Sequence, residues 1–202
     1  MPPDGVVEAP IPTESELQAR NLWAGGRLTA AAMAFVFISF VFAFYYLRQL
    51  NVEGKWRPHG VNPPATYGFA ILACMLASAL VYRLGTWRVD AAGPSRRWLW
   101  PSIASLALGI GALLAIGFEI PNAGFRPFAG AYASVFFAWT GFFALGVFGG
   151  VYYLETLVAR TVRYRTEAEP VVLAAELDAF GIYWYFMALM TVLTVVLLYM
   201  VA

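Results

Sequence analysis

The feature that most constrains this sequence is a series of five apolar stretches, each long enough to cross a lipid bilayer as an α-helix. They cover residues 27–47, 65–84, 98–118, 132–157 and 179–201 and are almost free of charge. The hydrocarbon core of a bilayer is about 30 Å thick, which about 20 helical residues can cross. A transmembrane β-barrel would instead show shorter segments of alternating polarity. The sequence therefore predicts an all-α integral membrane protein, a single bundle of five transmembrane helices.

The composition agrees with a surface solvated by lipid. Hydrophobic residues make up 61% of the 202 residues and charged residues only 12%, whereas about 25% charged residues is usual in soluble domains. The formal net charge of +1 gives no reason to expect nucleic acid as a partner. The connections between the stretches are short. We therefore expect one transmembrane domain over residues 27–202, preceded by a cytoplasmic tail over residues 1–26.

The distribution of Lys and Arg predicts the orientation of the bundle. The N-terminal tail, the second and fourth connections and the helix ends beside them, including Arg27 and Arg83, carry nine of these residues, and the first and third connections carry four. Cytoplasmic segments of membrane proteins carry the excess of positive charge. The sequence therefore predicts a cytoplasmic N-terminus and a C-terminus on the outer side.

Small residues at four-residue spacing predict helix faces that approach a neighbour closely. Gly146 and Gly150 form a GxxxG pattern in the fourth stretch, and Gly111 lies in a stripe of small residues in the third. We interpret these positions as packing or partner contacts. The spacing does not tell whether the neighbouring helix belongs to this chain or to another one.

Two acidic residues lie near the ends of apolar stretches, where charge is costly and marks candidate functional groups. Glu155 is near the end of the fourth stretch with Arg160 within reach, and Glu119 ends the third stretch before Arg126. Neither acid lies near the bilayer midplane. We therefore expect Glu155 to form a helix-end ion pair with Arg160 or to snorkel to the interface, rather than to serve in a proton relay. We expect Glu119 to pair with Arg126 and fix the short loop, rather than to act in catalysis.

The chain has one histidine, His59, and one cysteine, Cys74. Metal sites built from these residue types need several ligands at short spacing, which this sequence lacks. We therefore expect no catalytic, cofactor-binding or metal-ligating residue. We interpret His59 as a loop residue of the first connection and Cys74 as a small packing residue of the second stretch.

Five segments carry a family resemblance. One of them, residues 130–142, reads GAYASVFFAWTGF. We interpret its Thr140 and Gly141, together with Trp184 of the last helix, as helix-packing or partner contacts. The segments occur along the chain in the same order as in the family. The other four are residues 35–48, the loop residues Trp56, Pro58 and Gly60, the third-helix residues Gly109, Phe118 and Glu119, and the run YWYF over residues 183–186, which contains Trp184. Together they resemble a divergent, five-helix form of subunit III of the haem-copper oxidases, which include cytochrome c and quinol oxidases.

The chain departs from that family at its buried polar positions. Phe40 stands where the family usually has a glutamate, and Phe143 and Gly146 replace the two histidines that follow the TGF sequence. In the last helix, Tyr185 replaces a histidine and Ala188 replaces the acid that follows. The resemblance therefore does not transfer a proton-related role of those groups to this chain.

The resemblance implies a non-catalytic subunit of a respiratory terminal oxidase in the bacterial cytoplasmic (inner) membrane. Such a chain would contact the large haem- and copper-bearing subunit I and other oxidase subunits, and would bind phospholipid. Haem, copper, oxygen reduction and proton translocation would belong to the assembly. The alternative is a small polytopic transporter or an accessory subunit of another redox complex, such as a nitric oxide reductase.

Overall fold

The computed structural model of the chain describes residues 12–50, 56–86, 96–163 and 170–201. Within these ranges there are five α-helices, each long and apolar enough to cross a membrane: α1 (Glu14–Leu50), α2 (Ala65–Thr86), α3 (Arg96–Asn122), α4 (Ala131–Arg163) and α5 (Pro170–Val195). The last helix continues as a π-helical segment over Val196–Val201. The predicted all-α bundle of five membrane-spanning helices is confirmed, and its orientation in the membrane stays a prediction.

Two helices begin earlier than the sequence predicts, at Glu14 instead of residue 27 and at Pro170 instead of residue 179. A capping box starts α1, since the Thr13 backbone N–H donates to the Glu16 carboxylate at 3.0 Å. The Glu16 backbone N–H donates in return to the Thr13 hydroxyl at 3.4 Å. Hydropathy marks the part of a helix that lies in lipid, whereas caps mark its end. The tail predicted over residues 1–26 thus includes the first turns of α1, and its first 11 residues lie outside the described ranges.

The helices run alternately up and down, and α2 packs mainly on α3, α1 on α5, and α4 on α3. We call the end of the bundle that holds the starts of α1, α3 and α5 the N-terminal end, and the opposite end the C-terminal end. Many outward side chains are exposed, as in Phe35 at 72% and Trp100 at 75%. Such surfaces are expected where lipid or another membrane subunit is the neighbour.

Aromatic side chains fill the interior and hydrogen bonds join distant helices. The Tyr82 hydroxyl of α2 donates to the Leu177 carbonyl of α5 at 2.7 Å. The Ser105 hydroxyl of α3 donates to the Ser78 carbonyl of α2 at 2.9 Å. Lipid provides no hydrophobic drive for helices to associate, so close packing and such bonds, worth about 0.6 kcal/mol each on average, hold the bundle.

Candidate functional site

The GxxxG pattern of α4 lies against α5 of the same chain. A β-carbon at position 150 would lie 2.3 Å from the indole of Trp184, and one at position 146 would lie 2.7 Å from Cε of Met187. Trp184 is fully buried, and its indole N–H donates to the Ser78 hydroxyl at 3.0 Å. The glycines therefore make room for two large side chains of α5, and the hydrogen bond fixes the orientation of the indole ring.

The other predicted packing residues lie in different surroundings. Gly111 of α3 faces α2, where a β-carbon would lie 3.6 Å from Sγ of Cys74, an ordinary contact. Gly141 has no atom within 4 Å of the position of a β-carbon. Its neighbour Thr140 is buried, with 3% exposure. The structure therefore does not bring Gly111 and Gly141 into the tight seam that α4 and α5 form.

At the N-terminal end, Arg160 forms an ion pair with Glu176 of α5 rather than with Glu155. The Tyr153 hydroxyl donates to the same Glu176 carboxylate oxygen at 3.0 Å. Residues 155 and 160 are five positions apart on α4, and side chains meet on a helix at three or four positions. The predicted Glu155–Arg160 pair is therefore wrong. Because the fifth helix was predicted to start at residue 179, Glu176 was assigned to the preceding connection and was not considered as a partner of Arg160.

At the C-terminal end, Glu119 is 1% exposed and accepts a hydrogen bond from the Tyr199 hydroxyl. The predicted Glu119–Arg126 ion pair does not form, and Arg126 is exposed in the connection between α3 and α4. The reason is that α3 continues through Pro121 to Asn122, so Glu119 stays within the helix and faces the interior. Tyr199 lies in the π-helical segment, 80 positions away in sequence.

A cavity of about 600 Å³ lies between α1, α4 and α5 toward the N-terminal end. Its wall is mainly apolar, and Gln18 and Asn21 bring side-chain amides to one end of it. Gly25 of α1 and Gly149 of α4 line it, and a β-carbon at either position would have no atom within 4 Å. The cavity extends along α1 from Gln18 to Met33, about 22 Å at the helical rise per residue. It can therefore take an elongated apolar molecule.

Within the described ranges, no group of three or more His, Cys, Asp or Glu side chains is placed to hold a metal ion. His59 is exposed in the connection between α1 and α2, and Cys74 is a half-buried free thiol of α2. His59 and Cys74 are also the chain's sole histidine and cysteine. The described residues therefore bring together no set of ligands of the kind that a copper centre uses.

The fold and its contacts define a multi-pass membrane protein whose interior consists of aromatic packing and hydrogen bonds between helices. No protein-family model matches the chain. It is 25% identical over 178 residues to the probable cytochrome c oxidase subunit 3 of Nocardia farcinica, covering 84% of this chain and 83% of that protein. It is 26% identical over 197 residues to the protein of the same name from Mycobacterium leprae, covering 92% and 91%.

A vertebrate protein shows the same relationship over a smaller share of its length. The cytochrome c oxidase subunit 3 of Cyprinus carpio is 30% identical over 178 residues, covering 83% of this chain and 64% of the carp protein. The chain is therefore a divergent, subunit III-like homologue of proteins named cytochrome c oxidase subunit 3. The resemblance predicted from its five segments is confirmed.

Sequence reasoning missed two residues, Glu176 and Tyr199, and the large cavity. A helix N-terminus with Pro at its first position is a recognisable signal, so Glu176 could have been assigned to α5 from Pro170. No local signal links Tyr199 to Glu119, because their contact depends on how the π-helical segment is placed relative to the end of α3. The cavity depends in turn on how α1, α4 and α5 are placed against one another, which the sequence of no single helix shows.

Proposed function

We propose that this chain is the subunit III-like component of a respiratory haem-copper oxidase and that it has no catalytic residues of its own. The observation that carries the proposal is its similarity to the Mycobacterium leprae protein over 92% of this chain and 91% of that one. Haem and copper, with the oxygen reduction and proton translocation that depend on them, would belong to partner subunits. The choice between cytochrome c and quinol as electron donor would also be made there.

The role we propose is to stabilise the large subunit I by helix packing and bound lipid in a bacterial cytoplasmic membrane. The exposed outward faces of the helices support such a role, because they leave apolar surface for a membrane partner. The positive charge on the N-terminal tail and on the second and fourth connections supports a cytoplasmic N-terminus.

The cavity between α1, α4 and α5 is where we place a bound phospholipid. Its volume of about 600 Å³ lies in the range typical of small-molecule sites, about 300–1,000 Å³. Its apolar wall suits an acyl chain, and the amides of Gln18 and Asn21 suit the ester or phosphate oxygens of a head group. The length of about 22 Å exceeds half the thickness of a hydrocarbon core, about 15 Å, so one acyl chain can lie along it.

The experiment that tests the function is gentle purification on a tag attached to this chain, followed by a visible spectrum and metal analysis. We expect reduced-haem absorption bands and copper, together with larger partner subunits. The control is an unrelated tagged five-helix membrane protein, purified from the same membranes in the same detergent. A colourless chain recovered alone, under conditions that keep known oxidases intact, would refute the proposal and favour a self-sufficient transporter.

A further inference from the structure

A second, much smaller cavity lies at the C-terminal end, between α2, α3, α4 and α5. Its volume is about 10 Å³, and both Glu119 of α3 and Thr140 of α4 line it. Two more threonines line it from α5, Thr191 and Thr194. Glu119 is 1% exposed and Thr140 is 3% exposed, so these polar groups are removed from the bilayer and from bulk water.

Two of the three threonine hydroxyls around the cavity have hydrogen-bond partners among the residues that the structure describes, and one has none there. The Thr191 hydroxyl donates to the Met187 carbonyl at 2.8 Å, as threonines within helices commonly do. The Thr194 hydroxyl donates to the carbonyl of the residue four positions before it at 2.7 Å and accepts from the Trp139 indole N–H at 2.8 Å. The Thr140 hydroxyl, in contrast, makes no hydrogen bond to any residue that the structure describes.

Glu119 has acceptor capacity on the same cavity. A carboxyl group offers about four lone-pair sites, and the Tyr199 hydroxyl uses one of them. The position of Tyr199 depends on Gly68 of α2, where a β-carbon would lie 2.8 Å from the Tyr199 ring. Tyr199, Glu119 and Thr140 all line the same cavity, and the Tyr199 hydroxyl leaves lone pairs of the Glu119 carboxyl unused.

We propose that this cavity is a binding site for a single water molecule that joins Glu119 to Thr140. The water would accept a hydrogen bond from the Thr140 hydroxyl and would donate hydrogen bonds to the Glu119 carboxyl and to the free lone pair of the Thr191 hydroxyl. A volume of about 10 Å³ is that of one water-sized probe, and a buried water needs two to four polar partners. The bridge connects α3, α4 and α5 and satisfies the orphaned donor of α4.

The direct test is a high-resolution cryo-EM map of the full chain, in its complex or in a lipid nanodisc. We expect a density peak within hydrogen-bonding distance of both the Glu119 carboxyl and the Thr140 hydroxyl, and its loss in the Thr140→Val variant. A map of the wild type that shows ordered waters elsewhere but none here would overturn the proposal. A peak whose strength follows the sodium or potassium in the buffer would also overturn it, in favour of a cation.

The sign of a stability change gives a second, independent test. If the water is bound, Thr140→Val removes its donor and leaves the water and Glu119 poorly paired, so the midpoint temperature of unfolding falls. If the cavity is dry, the same variant replaces an unsatisfied hydroxyl by a methyl group, so the midpoint rises or stays the same. Thr140→Ser, which keeps the hydroxyl, should retain the water peak. Thr161→Val is the matched control on α4, because the Thr161 hydroxyl donates to the Leu157 carbonyl at 2.8 Å.

Discussion

The two ends of the bundle differ in how completely the chain fills its own interior. At the C-terminal end the Tyr132 backbone N–H donates to the Trp56 carbonyl at 2.9 Å, and its hydroxyl donates to the Leu198 carbonyl at 2.6 Å. The Arg57 guanidinium lies 4.8 Å from the centre of the Tyr132 ring. One tyrosine thus ties the first connection, α4 and the π-helical segment together. At the N-terminal end, α1, α4 and α5 instead surround an apolar cavity of about 600 Å³.

This difference shows where the chain depends on other molecules. The C-terminal end is closed by contacts within the chain, so its stability should depend little on lipid. The cavity of the N-terminal end has space at Gly25 and Gly149 that no side chain of the described residues fills. This space is where we propose that a phospholipid binds. The predictions below test whether the two ends differ in this way in their dependence on lipid.

The largest effect is expected for Gly150→Leu, at the seam between α4 and α5. A β-carbon at this position would lie 2.3 Å from the buried Trp184 ring, so the helices must separate or the ring must leave its hydrogen bond to Ser78. We expect a loss of at least about 3 kcal/mol, the upper end for overpacked cores. This loss of stability is measured by thermal unfolding in detergent, with tryptophan fluorescence as the signal. Gly149→Leu on the same helix is the control, and equal losses in the two variants would show that the seam is not tightly packed.

The next effect concerns the closed end of the bundle. Tyr132→Phe keeps the ring beneath Arg57 and removes the hydroxyl that donates to Leu198. We expect a loss of about 1 kcal/mol, typical of one buried hydrogen bond, and no change in bound lipid. Unfolding in detergent measures the loss of stability, and native mass spectrometry measures the amount of bound lipid. Tyr46→Phe, on the exposed face of α1, is the control. If Tyr132→Phe lost both stability and bound lipid, the result would show that the two ends of the bundle are coupled.

The third prediction concerns the open end. Gly149→Leu should place a side chain in the large cavity without a clash at its β-carbon, and so displace one bound lipid. We expect native mass spectrometry to show one phospholipid fewer, with little change in the unfolding temperature of the delipidated chain. Gly117→Leu is the control, because it adds the same side chain at an exposed position of α3 with open space around it. Equal lipid loss in the two variants would refute the assignment of lipid to the cavity.

The sequence was sufficient for the number and type of helices because the lipid solvent imposes a strong rule. Each membrane-spanning segment must be apolar over about 20 residues, and all five stretches meet this condition. Their ends follow other rules, such as the capping box at Thr13 and Glu16, which hydropathy does not report. The starts of α1 and α5 were accordingly misplaced.

The sites were predicted less well because they depend on contacts between distant segments. Gly149 and Gly150 are adjacent and identical and both line the cavity, yet only at Gly150 would a β-carbon meet the Trp184 ring. Both predicted ion pairs used partners near in sequence, whereas Glu119 meets Tyr199 and Arg160 meets Glu176 across helices. Helix spacing indicates which residues share a face, but the rotation of each helix against its neighbours decides what that face meets.

The smallest effect is expected for Glu176→Gln, at the N-terminal end. Arg160 is 51% exposed, so its ion pair with Glu176 is screened by solvent and contributes at most about 1 kcal/mol. The Tyr153 hydroxyl, which donates to Glu176, belongs to a residue that also lines the large cavity. We therefore expect a small fall in the unfolding temperature that high salt reduces, and retention of bound lipid. Glu155→Gln, which alters an exposed acid of the same end, should have no effect. Loss of lipid in Glu176→Gln alone would show that the ion pair positions Tyr153 at the cavity.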